Sequence, residues 1–161
     1  MDRRELFSSL ASSKEQKQES LIRPPYYKEI DSFLKGCTTC NKECATSCEE
    51  NIIVIKEDGT PTIDFSKGGC TYCDDCAKSC PNEVLSVEYK RVIDVKVEID
   101  ILKCMSWHNT MCFSCKDPCL DDAIKFLGMF RPSIDEKLCT SCGFCLNVCP
   151  SDAIKIINKR S

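Results

Sequence analysis

The chain has 161 residues, 22 basic and 25 acidic, for a formal charge of −3, with a single histidine and sixteen cysteines. With 42% hydrophobic but only 7% aromatic residues, a one-domain length supports a modest apolar core that needs internal staples. The acidic balance disfavours nucleic acid as a partner, and no stretch is long and apolar enough to span a membrane.

Residues 1–35 contain no cysteine and form an N-terminal arm. Leu6, Phe7 and Leu10 recur at helical spacing, which predicts a short amphipathic helix over Arg3–Leu10. The Arg3-Arg4 pair could mark twin-arginine export, but Ser8 to Ser20 is polar and charged where an apolar segment would be needed, so the pair reads as a surface or docking feature. Pro24-Pro25 forces an extended path, and Tyr26 and Tyr27 give it amphipathic area. This segment either docks a partner or, in the plainer reading, folds back on its own domain or is merely mobile.

The cysteines begin at Cys37, Cys40, Cys44 and Cys48, with one residue more than usual between the second and third and Glu49 after the last. A β-branched run, Ile52 to Ile55, an Asp58-Gly59 turn and Thr62-Ile63-Asp64 then predict a hairpin. It leads into Cys70, Cys73, Cys76, Cys80 and Pro81. From Ile93 to Ile101 apolar and charged residues alternate, the mark of a half-buried strand joining two units. The third motif is Cys104, Cys112, Cys115 and Cys119, its first cysteine set apart by a loop holding Trp107 and His108. A second hairpin is expected from Ala123–Phe126, Gly128, Pro132 and Ser133–Asp135. It precedes Cys139, Cys142, Cys145, Cys149 and Pro150, and Ile154–Ile157 should close the unit as its last strand before a basic Lys159-Arg160 tail.

Three cysteines three apart, then a fourth after three spacers and a proline, is what a cubane [4Fe–4S] cluster requires: a short loop wraps three thiolates round one face, and the fourth departs on a helix toward a different cluster. All sixteen cysteines fall into four such sets, enough for four [4Fe–4S] clusters. The near-equal offsets from Cys37 to Cys104 and from Cys70 to Cys139, with Thr62-Ile63-Asp64 echoed by Ser133-Ile134-Asp135, make this an internal repeat. The fold expected is α+β, two duplicated bacterial 2[4Fe–4S] ferredoxin-like units of short strands, cysteine loops and short helices, at 36–101 and 102–161. Pairing neighbouring motifs gives ligand sets Cys37, Cys40, Cys44, Cys80; Cys70, Cys73, Cys76, Cys48; Cys104, Cys112, Cys115, Cys149; and Cys139, Cys142, Cys145, Cys119. The repeat favours this neighbouring pairing; a nested pairing, outer motif with outer and inner with inner, stays open. Each oxidised cubane with its four thiolates adds about two negative charges, so the loaded protein would be more acidic still.

Rival readings fit less well. A disulfide scaffold needs an oxidising compartment, yet the N-terminus shows no signal-type apolar run, and cysteines three apart on one loop are poor partners for each other. Structural zinc sites usually join two separated cysteine pairs. His108 could serve as a ligand, but its motif already has four cysteines, so it is expected to hydrogen-bond nearby or face water, with Trp107 shielding the site. No phosphate loop, nucleophile signature or dinucleotide fingerprint is present. The chemistry is therefore one-electron transfer or cluster handling, with no catalytic residue.

In these features the chain resembles the NapF family, the ferredoxin-type accessory proteins of the periplasmic nitrate reductase system. The resemblance rests on Arg3-Arg4-Glu5-Leu6-Phe7, the proline-less motif at Cys37 to Cys48, Gly59-Thr60-Pro61 before Ile63 and Phe65, Cys104 with His108 and Cys112, and the regular fourth motif. It implies a cytoplasmic iron–sulfur protein that binds the catalytic molybdenum subunit of that reductase before export, and either helps load its [4Fe–4S] cluster or supplies electrons for maturation. The alternative is a polyferredoxin electron-transfer subunit of another redox complex.

Overall fold

A computed structural model describes residues 21–159; the helix expected over Arg3–Leu10, the Arg3-Arg4 pair and Arg160 of the basic tail lie outside them. Four short helices and six strands follow in order: α1 Asp31–Gly36, α2 Glu43–Thr46, β1 Ile53–Ile55, β2 Pro61–Ile63, α3 Asp75–Lys78, β3 Val95–Ile99, β4 Ile124–Leu127, β5 Phe130–Ile134, α4 Phe144–Asn147 and β6 Ile154–Asn158. Single 3₁₀ turns lie at Val87–Tyr89 and Met105–His108. Small helices and short strands around cysteine loops are a ferredoxin-like arrangement. Among the described residues no helix is long and apolar enough to cross a membrane.

Both expected hairpins form. β1 and β2 pair antiparallel, Ile53 opposite Ile63, across a turn in which Gly59 takes a φ of +77°. The Asp58 carboxylate closes that turn by accepting from the Thr60 N–H at 2.9 Å and the Thr60 hydroxyl at 2.7 Å, an Asx-type contact that competes well with water. β4 and β5 pair across Gly128, with the register slipping between Phe126 and Leu127. Pro61 opens β2, and Pro132 lies in a two-stranded ribbon, where a missing donor is tolerated.

The alternating segment is also a strand. Val95 and Val97 are buried while Lys96 and Glu98 are half-exposed on the other face, and Lys96 bridges Glu98 and Glu136 at 2.8 Å each. Its partner is β6, antiparallel from Val95–Asn158 to Ile99–Ile154. β3 thus runs from one core to the other: Ile93 and Val95 pack in the first, Val97 in the second.

The Pro24–Tyr27 segment folds back on the chain. Tyr27 bridges Leu85 as an isolated antiparallel pair, and the carbonyls of Pro25 and Tyr26 accept from Arg91 at 2.9 Å and Ser86 at 2.8 Å. Arg23 donates to the Thr60 hydroxyl and the Pro61 carbonyl, both at 2.7 Å, while its guanidinium lies 4.5 Å from the centre of the Phe33 ring. The Arg91 guanidinium stacks likewise on Tyr27. Phe33 is fully buried and meets Tyr27 edge-on at 5.2 Å. Phe33→Ala is therefore expected to cost about 3–5 kcal/mol, read as a lowered urea midpoint of the metal-loaded protein, whereas a midpoint unchanged within error would place Phe33 outside the core.

Candidate metal centres

Each regular cysteine loop enters its helix through a residue with left-handed backbone. Lys42 (φ 65°), Asp74 (φ 69°) and Gly143 (φ 87°) precede α2, α3 and α4, whose four residues carry Cys44, Cys76 and Cys145. One helical turn has no stability of its own, so these turns depend on what their cysteines and apolar faces touch. The extra residue of the first motif is absorbed ahead of Lys42. The third motif differs more: it has no such helix, and the Met105–His108 turn occupies its inserted loop instead.

A second device recurs in all four motifs. Three residues after the last cysteine, Asn51, Glu83, Asp122 and Asp152 all have positive φ, between 48° and 54°. The left-handed residue turns the chain back toward the sulfur it has just left. Backbone N–H groups then point at sulfur: Leu85 on Cys80 at 3.5 Å, Ala123 on Cys119 at 3.3 Å and Ala153 on Cys149 at 3.3 Å. Donors aimed at sulfur stabilise thiolate and raise the reduction potential of iron bound to it.

The structure gathers the sixteen cysteines into four quartets, each with three sulfurs from one loop and one from the neighbouring motif. Cys37, Cys40, Cys44 and Cys80 lie within electrostatic reach of one another. Cys48, Cys70, Cys73 and Cys76 do the same and together line a small cavity walled by Pro24, Tyr26, Ile52 and Ile63. Cys104, Cys112, Cys115 and Cys149 line another with Ile99, Pro132 and Ile154, and Cys119, Cys139, Cys142 and Cys145 a third with Val97, Ile124 and Ile134. This is the neighbouring-motif grouping; no nested set is assembled. All sixteen thiols are free, and only Cys73 is exposed.

Among the described residues, no three His, Cys, Asp or Glu side chains close on a single point as one ion would require. Three of the quartets line apolar cavities, and four thiols per quartet are the donor set of a cubane, whose iron would supply a one-electron redox centre. Burial against the apolar walls pushes the thiols of Cys44, Cys70 and Cys115 up to about 11 and that of Cys145 to about 12. Cys149 goes the other way, because N–H groups of Ala153 and Ser151 and the Ser151 hydroxyl outweigh its burial and hold it below the usual thiol range. Bound iron would hold these sulfurs as thiolates.

His108 reaches no quartet. Its exposed ring lies 3.0 Å from the Leu102 carbonyl, so His108→Ala is expected to leave the iron content unchanged; loss of about four irons per chain would make it a ligand. Trp107 donates to the Pro132 carbonyl at 3.1 Å, tying the inserted loop to β5 beside the third cavity.

Several residues that build the sites carry no spacing signal. Tyr72, between Cys70 and Cys73, accepts from the Ile93 N–H at 3.2 Å and donates to the Thr140 carbonyl in the opposite half. Phe65 lies over Gly143, where any Cβ would strike its ring. Lys42 approaches Cys40 Sγ at 3.9 Å and donates to the Cys37 carbonyl, placing a cation at the first quartet. Tyr72 and Lys42 lie between cysteines of their motifs, and that position was the one clue the sequence held.

The comparisons with known proteins agree with this geometry. Residues 36–84 match the 4Fe-4S dicluster domain and residues 132–155 the 4Fe-4S binding domain. The ferredoxin-type protein NapF of Escherichia coli (strain K12) is 34% identical over 137 residues, covering 83% of this chain and 82% of its own. NapF of Haemophilus influenzae is 31% identical over 154 residues, 92% of this chain and 86% of its own, and the ferredoxin-type protein NapG of Escherichia coli (strain K12) 26% over 162 residues, 84% and 70%. With cysteine loops of the 4Fe–4S type and a relative this similar across most of both lengths, the chain belongs to the NapF family of ferredoxin-type iron–sulfur proteins.

Proposed function

We propose that the chain holds four [4Fe–4S] clusters, one per quartet, and serves in the cytoplasm as an accessory factor for the catalytic molybdenum subunit of a periplasmic nitrate reductase, loading that subunit's cluster or supplying electrons before export. The observation that carries the cluster part is that three separate cavities are each lined by a complete thiol quartet drawn from two neighbouring motifs. The choice of partner rests on membership of the NapF family.

A second reading, an electron-transfer subunit of another redox complex, is favoured by contacts between quartets, such as the hydrogen bond from the Cys70 N–H to the Cys142 carbonyl. Two measurements decide. Anaerobically purified protein should contain about sixteen irons and as much sulfide, with low-temperature EPR signals of reduced cubanes. A tagged chain should capture the unexported catalytic subunit, and its withdrawal should leave the mature enzyme's turnover unchanged. A chain that instead remains with an active complex and is reduced during its turnover would establish the second reading.

A further inference from the structure

The quartets are not evenly scattered. α2 and α3 pack together and bring Cys44 of the first quartet within electrostatic reach of Cys76 of the second. In the other half, Cys145 of the fourth quartet has Cys115 of the third as a neighbour. The halves themselves meet at a specific place. The Cys70 N–H donates to the Cys142 carbonyl at 2.6 Å, joining a cysteine of the second quartet directly to one of the fourth through a single backbone hydrogen bond. The Tyr72 hydroxyl donates to the Thr140 carbonyl, Ser141 Oγ donates to the Val95 carbonyl at 2.8 Å, and Asn147 donates to the Lys67 carbonyl at 3.3 Å. Leu146 packs against both cores. Nothing comparable joins the first quartet to either quartet of the second half among the described residues.

The approach is close because two glycines permit it. A Cβ on Gly69 would lie 2.6 Å from the Phe144 ring and backbone nitrogen and 2.7 Å from the Cys142 carbonyl oxygen, and one on Gly143 would strike Phe65. Two small residues facing each other's loops, with two backbone carbonyls of one motif capped by donors of the other, constitute a built junction rather than a chance contact.

We propose that the four centres form a single file in the order first, second, fourth, third, in which the Cys70–Cys142 junction is the sole electron passage between the halves and Tyr72 is its positioning residue. The proposal rests on the reading that the quartets hold cubanes. Each step is a one-electron exchange, the centre on one side oxidised as its neighbour is reduced, with no bond made or broken and no proton required; a low-potential one-electron donor supplies the electron at one end. Tunnelling falls steeply with distance, so the order of the file follows from which quartets touch. The file does not follow the order of the motifs in the chain, because it is the second and fourth cysteine loops that meet between the halves.

The test uses the full chain, reconstituted anaerobically and reduced with dithionite. Iron and sulfide are measured first; content well below four cubanes removes the cluster reading and the file with it. Given full content, a Cys40→Ala/Cys112→Ala chain keeps the second and fourth centres, and its reduced EPR spectrum should show the splitting and fast relaxation of two interacting paramagnets. A Cys73→Ala/Cys112→Ala chain keeps the first and fourth and should show two isolated signals. Gly69→Val in the otherwise natural chain, which wedges the junction without touching a cysteine, should keep its iron and lose the inter-half part of the interaction, and Tyr72→Phe should weaken it. Isolated signals from the second–fourth pair, equal coupling in the first–fourth pair, or an unaltered spectrum in Gly69→Val would each overturn the file while leaving the clusters in place.

Discussion

Replacing Cys48 and Cys73 together by alanine is expected to remove about four irons per chain, no more than either replacement alone. The reason is that both sulfurs line one cavity, with Cys70 and Cys76, although they come from different motifs. Cys48→Ala/Cys40→Ala should remove about eight, because Cys40 belongs with Cys37, Cys44 and Cys80 although it shares a motif with Cys48. Iron and sulfide analysis of the anaerobic variants reads both results directly. A nested arrangement reverses the first: there Cys48 would serve a centre in the second half, and the Cys48/Cys73 pair would remove about eight.

Stripping iron with a chelator under reducing conditions is expected to abolish the cooperative thermal transition altogether rather than shift it. Both apolar cores include the quartets' own cysteines: Cys37, Cys44 and Cys76 are buried in the first, with Cys48, Cys70 and Cys80 packed against it, and Cys115 is buried in the second, with Cys119, Cys139, Cys145 and Cys149 against it. The second core buries only Val97, Ile124 and Ile154 besides. At ~1.5–3 kcal/mol for each fully buried aliphatic side chain, that cannot offset the ordering of some sixty residues at about 1–2 kcal/mol each, so binding and folding are one event. Far-UV circular dichroism on heating, with a hydrophobic dye to report exposed apolar surface, checks this. A stripped chain that still melts sharply, within a few degrees of the loaded one, would show that the cores stand without their staples.

How much of this was legible beforehand depended on whether the signal was local. The cysteine spacing, the Asp58-Gly59 turn and the alternation from Ile93 are all properties of a few consecutive residues, and each yields the element it suggests. The grouping of sulfurs from neighbouring motifs was open because pairing spans tens of residues, and spacing is silent about which loops lie side by side. The Pro24–Tyr27 segment read equally as a docking arm or a folded-back one; its contacts to Leu85, Ser86 and Arg91 lie some sixty residues away and no periodicity announces them. The missing helix of the third motif follows from its separated first cysteine, which lets the chain turn at Met105–His108 instead. The junction at Gly69, Tyr72 and Gly143 was invisible for the same long-range reason: a glycine beside a cysteine reads as loop chemistry until the opposing backbone is in view.

The pairing of β3 with β6 sets an order of events during synthesis. The buried residues of the first core have all been made by Val95, whereas β3 waits for Ile154–Asn158, its partner strand among the described residues, and the third quartet waits for Cys149. A nascent chain therefore presents one finished half beside an open, thiol-bearing one for as long as the last sixty or so residues take to emerge, and metal delivery to the two halves is separated in time by the ribosome itself.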